Sequence, residues 1–295
     1  MTAFEQGDLL VSATEIDADT VDFRKGIKGA GRLLHLSADL ELKESLWTEQ
    51  NGLVVGVGVH PQTKTLYTAD PHGKNIVAFD SSGARLGPVE GLPVRPYGAV
   101  AFDEAGRLLL GVLTAREAPP EDGFGDASLY RFDPTSGEIE AFRPELDGGR
   151  LGWHCISNMS YLAERGVLYY VAEAGRRLSR YDLRNRHQMD DFLIYDEADE
   201  RRTYGVGALT DGRLVVSTGV GAQLLAPDGS VLLDYTVSSE KGWTRVTLPP
   251  MEKGYFFLNN FLDGVMHKRD IETGEIIAAY DIQNKFSLCG MAEVA

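Results

Sequence analysis

Short apolar runs recur along the chain, at residues 53–59, 66–68, 76–79, 108–113, 129–132, 167–171, 178–181, 214–217 and 255–258. They are rich in Val, Leu, Tyr and Phe, and Asp, Gly, Pro or Asn bounds most of them. That pattern predicts strands separated by tight turns. Windows with helical period are almost absent, and residues 190–204 read as polar and irregular.

The runs form a repeat. An apolar strand ending in an aromatic residue and Asp, then a turn and a further strand, appears as NIVAFDSSGARL, SLYRFDPTSGEI and RLSRYDLRNR, and with Arg in place of the aromatic residue as GVMHKRDIETGEI, with weaker copies AQLLAPDGSV and RLLHLSADLEL. Taking Ser37, Asp80, Asp133, Asp182, Ala226 and Asp270 as equivalent gives spacings of 43, 53, 49, 44 and 44 residues. Self-similarity at that period, with several strands per unit, predicts a β-propeller. Six repeats imply six blades. The segment 288–294 has the pattern of an innermost strand with nothing after it, and GDLLVSA, GRLLHLS and LELKESLW near the N-terminus have that of the three outer strands. The fold class expected is therefore all-β, a six-bladed propeller over residues 1–295 as a single domain. Its last blade is closed by N-terminal strands joined to the C-terminal innermost strand, so the ring has no free edge.

Composition narrows the function. Against 29 Lys and Arg stand 44 Asp and Glu, a net charge of −15. Such a surface repels phosphate backbones and anionic lipid, so nucleic-acid and membrane partners are not expected. No apolar run reaches the length of a membrane helix, and residues 1–10 lack a signal-peptide pattern. Cys155 and Cys289 are the two cysteines, too few for a disulfide framework and without a Cys-x-x-Cys pair. A cytoplasmic protein acting on a small-molecule substrate is expected, and nothing in the sequence sets its oligomeric state.

The segments PYGAVAFDEAGRLLLGVL, SLYRFDPTSGEIEAF and ISNMSYLAERGVLYYVAEAGRRLSRYDL, over about residues 95–185, resemble the SMP-30/gluconolactonase-like six-bladed propellers. The resemblance implies hydrolysis of lactones or related esters, with a divalent cation, often calcium, at the top of the central tunnel. Carried over by position, one of its ligands is retained, at Asn158. The others fall near Val55 or Gly56, near Gly98 and near Tyr204, which supply no carboxylate. The expectation is a tunnel site without the family's metal and without a cofactor, the alternative being Ca2+ or another divalent cation held through Asn158.

The ends of the strands suggest which side chains converge on the tunnel. Innermost strands are expected to start near Asn51, Pro96, His154, Thr203, Trp243 and Leu288, beside the ends of the second strands. His154, Asn158, Tyr204 and Glu173 are the candidate catalytic residues: an imidazole that titrates near neutrality, an amide to orient a carbonyl, a phenol donor and a carboxylate. Tyr97, Trp243, Arg245, Asp70, His72 and Asn259 are the candidate substrate contacts. Two long connections, 14–30 and 114–127, are expected to lie over the same face. Hydrolysis of a lactone or ester leads. Metal-independent lyase, isomerase or condensing chemistry at the same site is the alternative, as is a non-catalytic propeller that binds a ligand or a protein.

Overall fold

The computed structural model describes residues 2–22, 26–113, 122–147, 154–237 and 241–295. Six antiparallel four-stranded sheets account for nearly all its regular structure. Counting from the axis outward, blade 1 runs through Gly56–Val59, Leu66–Asp70, Asn75–Phe79 and Arg85–Pro88. Blade 2 has Tyr97–Phe102, Leu108–Val112, Leu129–Phe132 and Ile139–Phe142, and blade 3 has Asn158–Leu162, Val167–Val171, Arg177–Asp182 and His187–Ile194. Blade 4 is built from Gly205–Ala208, Leu214–Ser217, Ala222–Leu225 and Val231–Tyr235. Blade 5 follows with Trp243–Thr247, Tyr255–Asn260, Val265–Asp270 and Ile276–Asp281. Blade 6 takes its innermost strand, Met291–Glu293, from the C-terminal end, and Leu9–Ser12, Ala30–Leu36 and Leu42–Asn51 from the other end of the chain. The six-bladed propeller with a split closing blade is as the repeat predicts.

Burial explains the strand sequences. Both faces of a blade pack on neighbours, so the second strands Leu66–Asp70, Leu108–Val112 and Val167–Val171 are buried at every position, and all of their residues but Thr68 and Asp70 are apolar. The fourth strands lie at the rim, and Ile276–Asp281 has no buried residue. The rim strand His187–Ile194 also mixes exposures without alternation, which is why residues 190–194 had the look of irregular chain. Between blades the cores are shared: Tyr67, Ala69 and Ile76 of blade 1 pack with Tyr97, Leu110 and Tyr130 of blade 2.

The repeated Asp has a local cause. Asp80, Asp133 and Asp270 each accept the backbone N–H two residues on, from Ser82, Thr135 and Glu272 at 2.8, 2.8 and 2.9 Å, and Asp182 accepts that of Asn185 at 2.8 Å. A carboxylate that caps the turn between the third and fourth strands satisfies donors the ladder leaves free.

The closure is pinned by backbone and side-chain bonds. Val294 N donates to Asp8 O and Ser12 N to Gly290 O, both at 2.8 Å. The buried Ser12 hydroxyl accepts the N–H groups of Cys289 and Gly290 at 2.7 and 2.9 Å. Asp8, 2% exposed, takes Lys43 Nζ at 2.8 Å and lies 2.6 Å from His35 Nε2. Burial opposes its ionisation, but the bonds from Lys43, Glu5 N–H and His35 hold its carboxyl below the usual range. Among the described residues no helix is long and apolar enough to cross a membrane.

Candidate functional site

Two chambers lie along the propeller axis. The lower one, about 420 Å³, is lined by residues of all six innermost strands, among them Gly58, Val100, Asn158, Val206, Arg245 and Met291. The upper one, about 540 Å³, is lined by the segments that lead into those strands. Leu53, Val55, Pro96, Leu113, Phe261 and Cys289 give it a mainly apolar wall, and Asp70, His72, Lys74, Ser157, Glu173, Tyr204, Thr244 and Arg245 are its polar members. Gly26 and Ile27, from the long connection 14–30, stand at its edge. In the second long connection, residues 114–121 lie outside the described residues, and Asp122 is drawn away into an ion pair with Arg95 at 2.7 Å.

Arg245 borders both chambers. It belongs to blade 5, and its guanidinium donates to the Gly98 carbonyl of blade 2, three blades round the ring, at 3.2 Å. In a six-bladed ring those blades face each other, so the side chain spans the tunnel like a crossbar. It is 9% exposed. Among the described residues the bond to Gly98 is the guanidinium's one hydrogen bond, and it forms no ion pair there. Burial opposes its charge, while Cys289, Glu173 and Cys155 favour it.

Glu173 follows the second strand of blade 3. It is open to the chamber yet enclosed by protein, and its carboxylate makes no hydrogen bond among the described residues. Burial pushes its carboxyl above the ordinary range, and Arg245 pulls the other way. Asp70 ends the second strand of blade 1 and is 4% exposed. Its Oδ1 accepts His72 N–H at 2.8 Å, and Oδ2 has no partner. Burial pushes this carboxyl up as well, against the N–H groups of Gly73 and His72. Gly52 makes room for it, since a Cβ there would sit 2.3 Å from both carboxylate oxygens. Tyr204 leans on Gly219, whose φ of +81° and whose distance of 2.4 Å from a built Cβ to the Tyr204 ring admit only glycine. The thiols of Cys155 and Cys289 are free and buried, and burial pushes each up to about 12.

Of the ten residues singled out from the sequence, Asp70, His72, Glu173, Tyr204 and Arg245 meet at the upper chamber. The other five do not line it. His154 is exposed, its Nδ1 3.3 Å from the Leu146 carbonyl. Asn158 lies at the lower chamber, and its Oδ1 accepts Val206 N–H at 2.8 Å, which ties blade 3 to blade 4. Tyr97 is fully buried between blades 1 and 2, its hydroxyl donating to Pro93 O at 2.8 Å. Trp243 packs in the core of blades 4 and 5, with its ring 4.8 Å from that of His267. Asn259 Nδ2 donates to Leu288 O at 2.6 Å and to Cys289 O at 3.2 Å, holding the segment that leads to the closing strand.

The cause of these differences is register. The innermost strands begin up to five residues later than expected, at Gly56, Tyr97, Asn158, Gly205, Trp243 and Met291. Bulges interrupt pairing between Tyr97 and Ala99 and between Trp243 and Arg245. Strict alternation puts Trp243 and Arg245 on one side, and the bulge sends the first into the core and the second to the axis. The apolar lining of Leu53, Val55, Leu113 and Phe261 escaped the reading, because nothing in their sequence separates a tunnel wall from a core. The residue just before an innermost strand was the available signal, and Pro96, Ser157 and Tyr204 answer to it.

The donor set does not fit the divalent cation that the resemblance implies. Asn158 Oδ1 is taken by a backbone N–H, Arg245 places a cation across the axis, and no group of three or more His, Cys, Asp or Glu residues suited to a metal exists among the described residues.

No protein-family model matches the chain, and no curated protein sequence matches it. Solved structures do. A chain from the crystal structure of a nidogen/laminin complex is similar with a TM-score of 0.68 at 12% identity, over 97% of this chain and 98% of that one. A protein of unknown function from Bacteroides caccae is similar with a TM-score of 0.66 at 11% identity, over 98% of this chain and 99% of that one. At such identities the likeness is one of fold, and the fold it supports is the six-bladed β-propeller.

Proposed function

We propose that the protein is a small-molecule enzyme of the SMP-30/gluconolactonase-like type that hydrolyses a lactone or ester in the upper chamber without a metal. The observation that carries this reading is the meeting of Glu173 and Arg245, a carboxylate and a guanidinium with unused hydrogen-bonding capacity, at one mostly apolar cavity. A pocket of this size and lining suits a small organic molecule.

The chemistry follows from the two groups. Arg245 donates to the carbonyl oxygen of the ester and stabilises the charge that develops there. Glu173 takes a proton from water as the water oxygen bonds to the carbonyl carbon. The bond from that carbon to the ester oxygen then breaks, and the departing alkoxide takes the proton from Glu173. The products are an alcohol and a carboxylic acid, which loses its remaining proton to solvent, and Glu173 is regenerated. Its raised pKa makes it a stronger base than an exposed glutamate. Asp70 and Tyr204 border the same space and orient the substrate.

Turnover of a panel of lactones and aryl esters tests the reading, measured for the wild type, Glu173→Gln and Arg245→Gln, each with and without EDTA. The expected result is chelator-insensitive hydrolysis that falls about 100-fold or more in Glu173→Gln. Saturable binding of the panel with no turnover would replace the enzyme with a non-catalytic ligand-binding propeller. Turnover abolished by EDTA would refute the metal-free mechanism.

A further inference from the structure

We propose that the Arg245 crossbar is a seat for a carboxylate, so that the upper chamber selects small monoanions with an apolar body and admits them from the upper face. The inference rests on the site described above, but it concerns what the site binds and not what it turns over.

Three observations carry it. The first is the unfilled guanidinium. Arg245 is nine-tenths buried, spans the tunnel, and uses one hydrogen bond on Gly98 O. A buried cation without an ion-pair partner is costly, and an arginine fork matches a carboxylate in two parallel bonds. The second is the wall. Leu53, Val55, Pro96, Leu113 and Phe261 offer contact to a hydrocarbon or aromatic body. The third is the contrast between the chambers. Below Arg245 the lining carries Asp103 and Glu293, paired to Arg107 and Lys253 outside it at 2.7 and 2.6 Å, and Glu164 and Glu252, which form no ion pair among the described residues, with Arg245 as the lining's one lysine or arginine there. Above it, Lys74 and His72 stand beside Asp70 and Glu173. An approaching anion is repelled from the lower opening and not from the upper one.

Glu173 does not oppose such a ligand. It has no hydrogen bond of its own, and burial already favours its neutral form. A carboxylate ligand binds with Glu173 protonated, its O–H donating to the ligand's second oxygen, whereas hydrolysis starts from the ionised form. Under the hydrolytic reading the same seat holds the carboxylate product, and the ring-opened acid competes with the neutral substrate.

The test compares isosteric probes on the wild-type protein by titration calorimetry in low-chloride buffer: benzoate against benzamide, hexanoate against hexanamide, and benzylamine as the cation. The expected result is that each acid binds at least 10-fold more tightly than its amide, with benzylamine weakest. Arg245→Gln is expected to erase the difference between acid and amide. If that variant does not fold, the wild-type comparison still decides. Amides binding as tightly as acids would overturn the proposal, and so would an acid preference unchanged in folded Arg245→Gln. Acid selectivity without hydrolysis of any ester upholds the seat and refutes the hydrolase. Hydrolysis without acid selectivity does the reverse.

Discussion

Asn158→Ala separates a catalytic asparagine from a structural one. The side chain sits at the start of the innermost strand of blade 3, and its Oδ1 accepts Val206 N–H from blade 4 across 2.8 Å. Removing the acceptor leaves a buried backbone donor unpaired, which costs about 1–3 kcal/mol. The lower chamber borders the bond, and a water there recovers part of the loss, so about 1–2 kcal/mol is expected. For a domain of this size that corresponds to a fall of roughly 2–8 °C in melting temperature. Urea unfolding followed by tryptophan fluorescence measures it, as a lower midpoint at unchanged slope. Ser160→Ala is the companion variant, since Ser160 Oγ accepts Ala208 N–H from the same neighbouring strand at 3.0 Å, and a smaller loss is expected. Neither variant is expected to change ester turnover or benzoate affinity more than twofold. An Asn158→Ala protein with the wild-type urea midpoint and abolished turnover would refute the assignment and return Asn158 to the mechanism.

Other outcomes follow from the same geometry. Glu173 has a folded-state pKa raised by burial, so the stability it contributes is full below about pH 4.3, its unfolded value, and is lost as pH rises through the folded value. Urea midpoints taken from pH 4 to 8 are expected to decline less steeply in Glu173→Gln than in the wild type, and equal slopes would contradict the burial argument. Asp8 runs the other way. Its depressed carboxyl stabilises the closing blade above its unfolded pKa near 3.9 and ceases to do so as pH falls through the folded value, and Asp8→Asn is expected to flatten the acid limb of the stability curve. Gly52→Ala drives a methyl into the Asp70 carboxylate, with a cost of about 1–3 kcal/mol by denaturant titration, and an unchanged midpoint would mean that the loop yields freely. Cys155 and Cys289, buried and titrating near 12, are expected to stay unreacted with iodoacetamide at pH 8 in the native protein and to react in 6 M urea.

The fold was legible because its signals are local and repeated. Asp80, Asp133, Asp182 and Asp270 mark one turn in four blades, and each does so by capping backbone N–H groups a few residues on. The strand identity of GDLLVSA and of 288–294 was equally readable, because closure needs one innermost strand and three outer ones. The site was legible where it depends on the ends of second strands, as for Asp70 and Glu173, whose positions follow from the hairpin. It was not legible where a bulge decides direction. Tyr97 and Trp243 each begin a first strand, and each is turned into a core by a register shift that the residues beside it do not announce. Arg245 was readable as a tunnel residue, but its reach across to Gly98 depends on the diameter of the ring, which is a property of all the blades together.

That the two ends of the chain share a sheet bears on how the molecule comes apart. In an open array of repeats a terminal unit frays first and the rest persists. Here Leu9–Ser12 lies between Met291–Glu293 and Ala30–Leu36, so neither extremity is a terminal unit, and loosening either one exposes the cores on both sides of that blade. Calorimetry of the intact chain should therefore show one melting transition rather than a staircase, with the seam between the ends as the place where the ring first gives way.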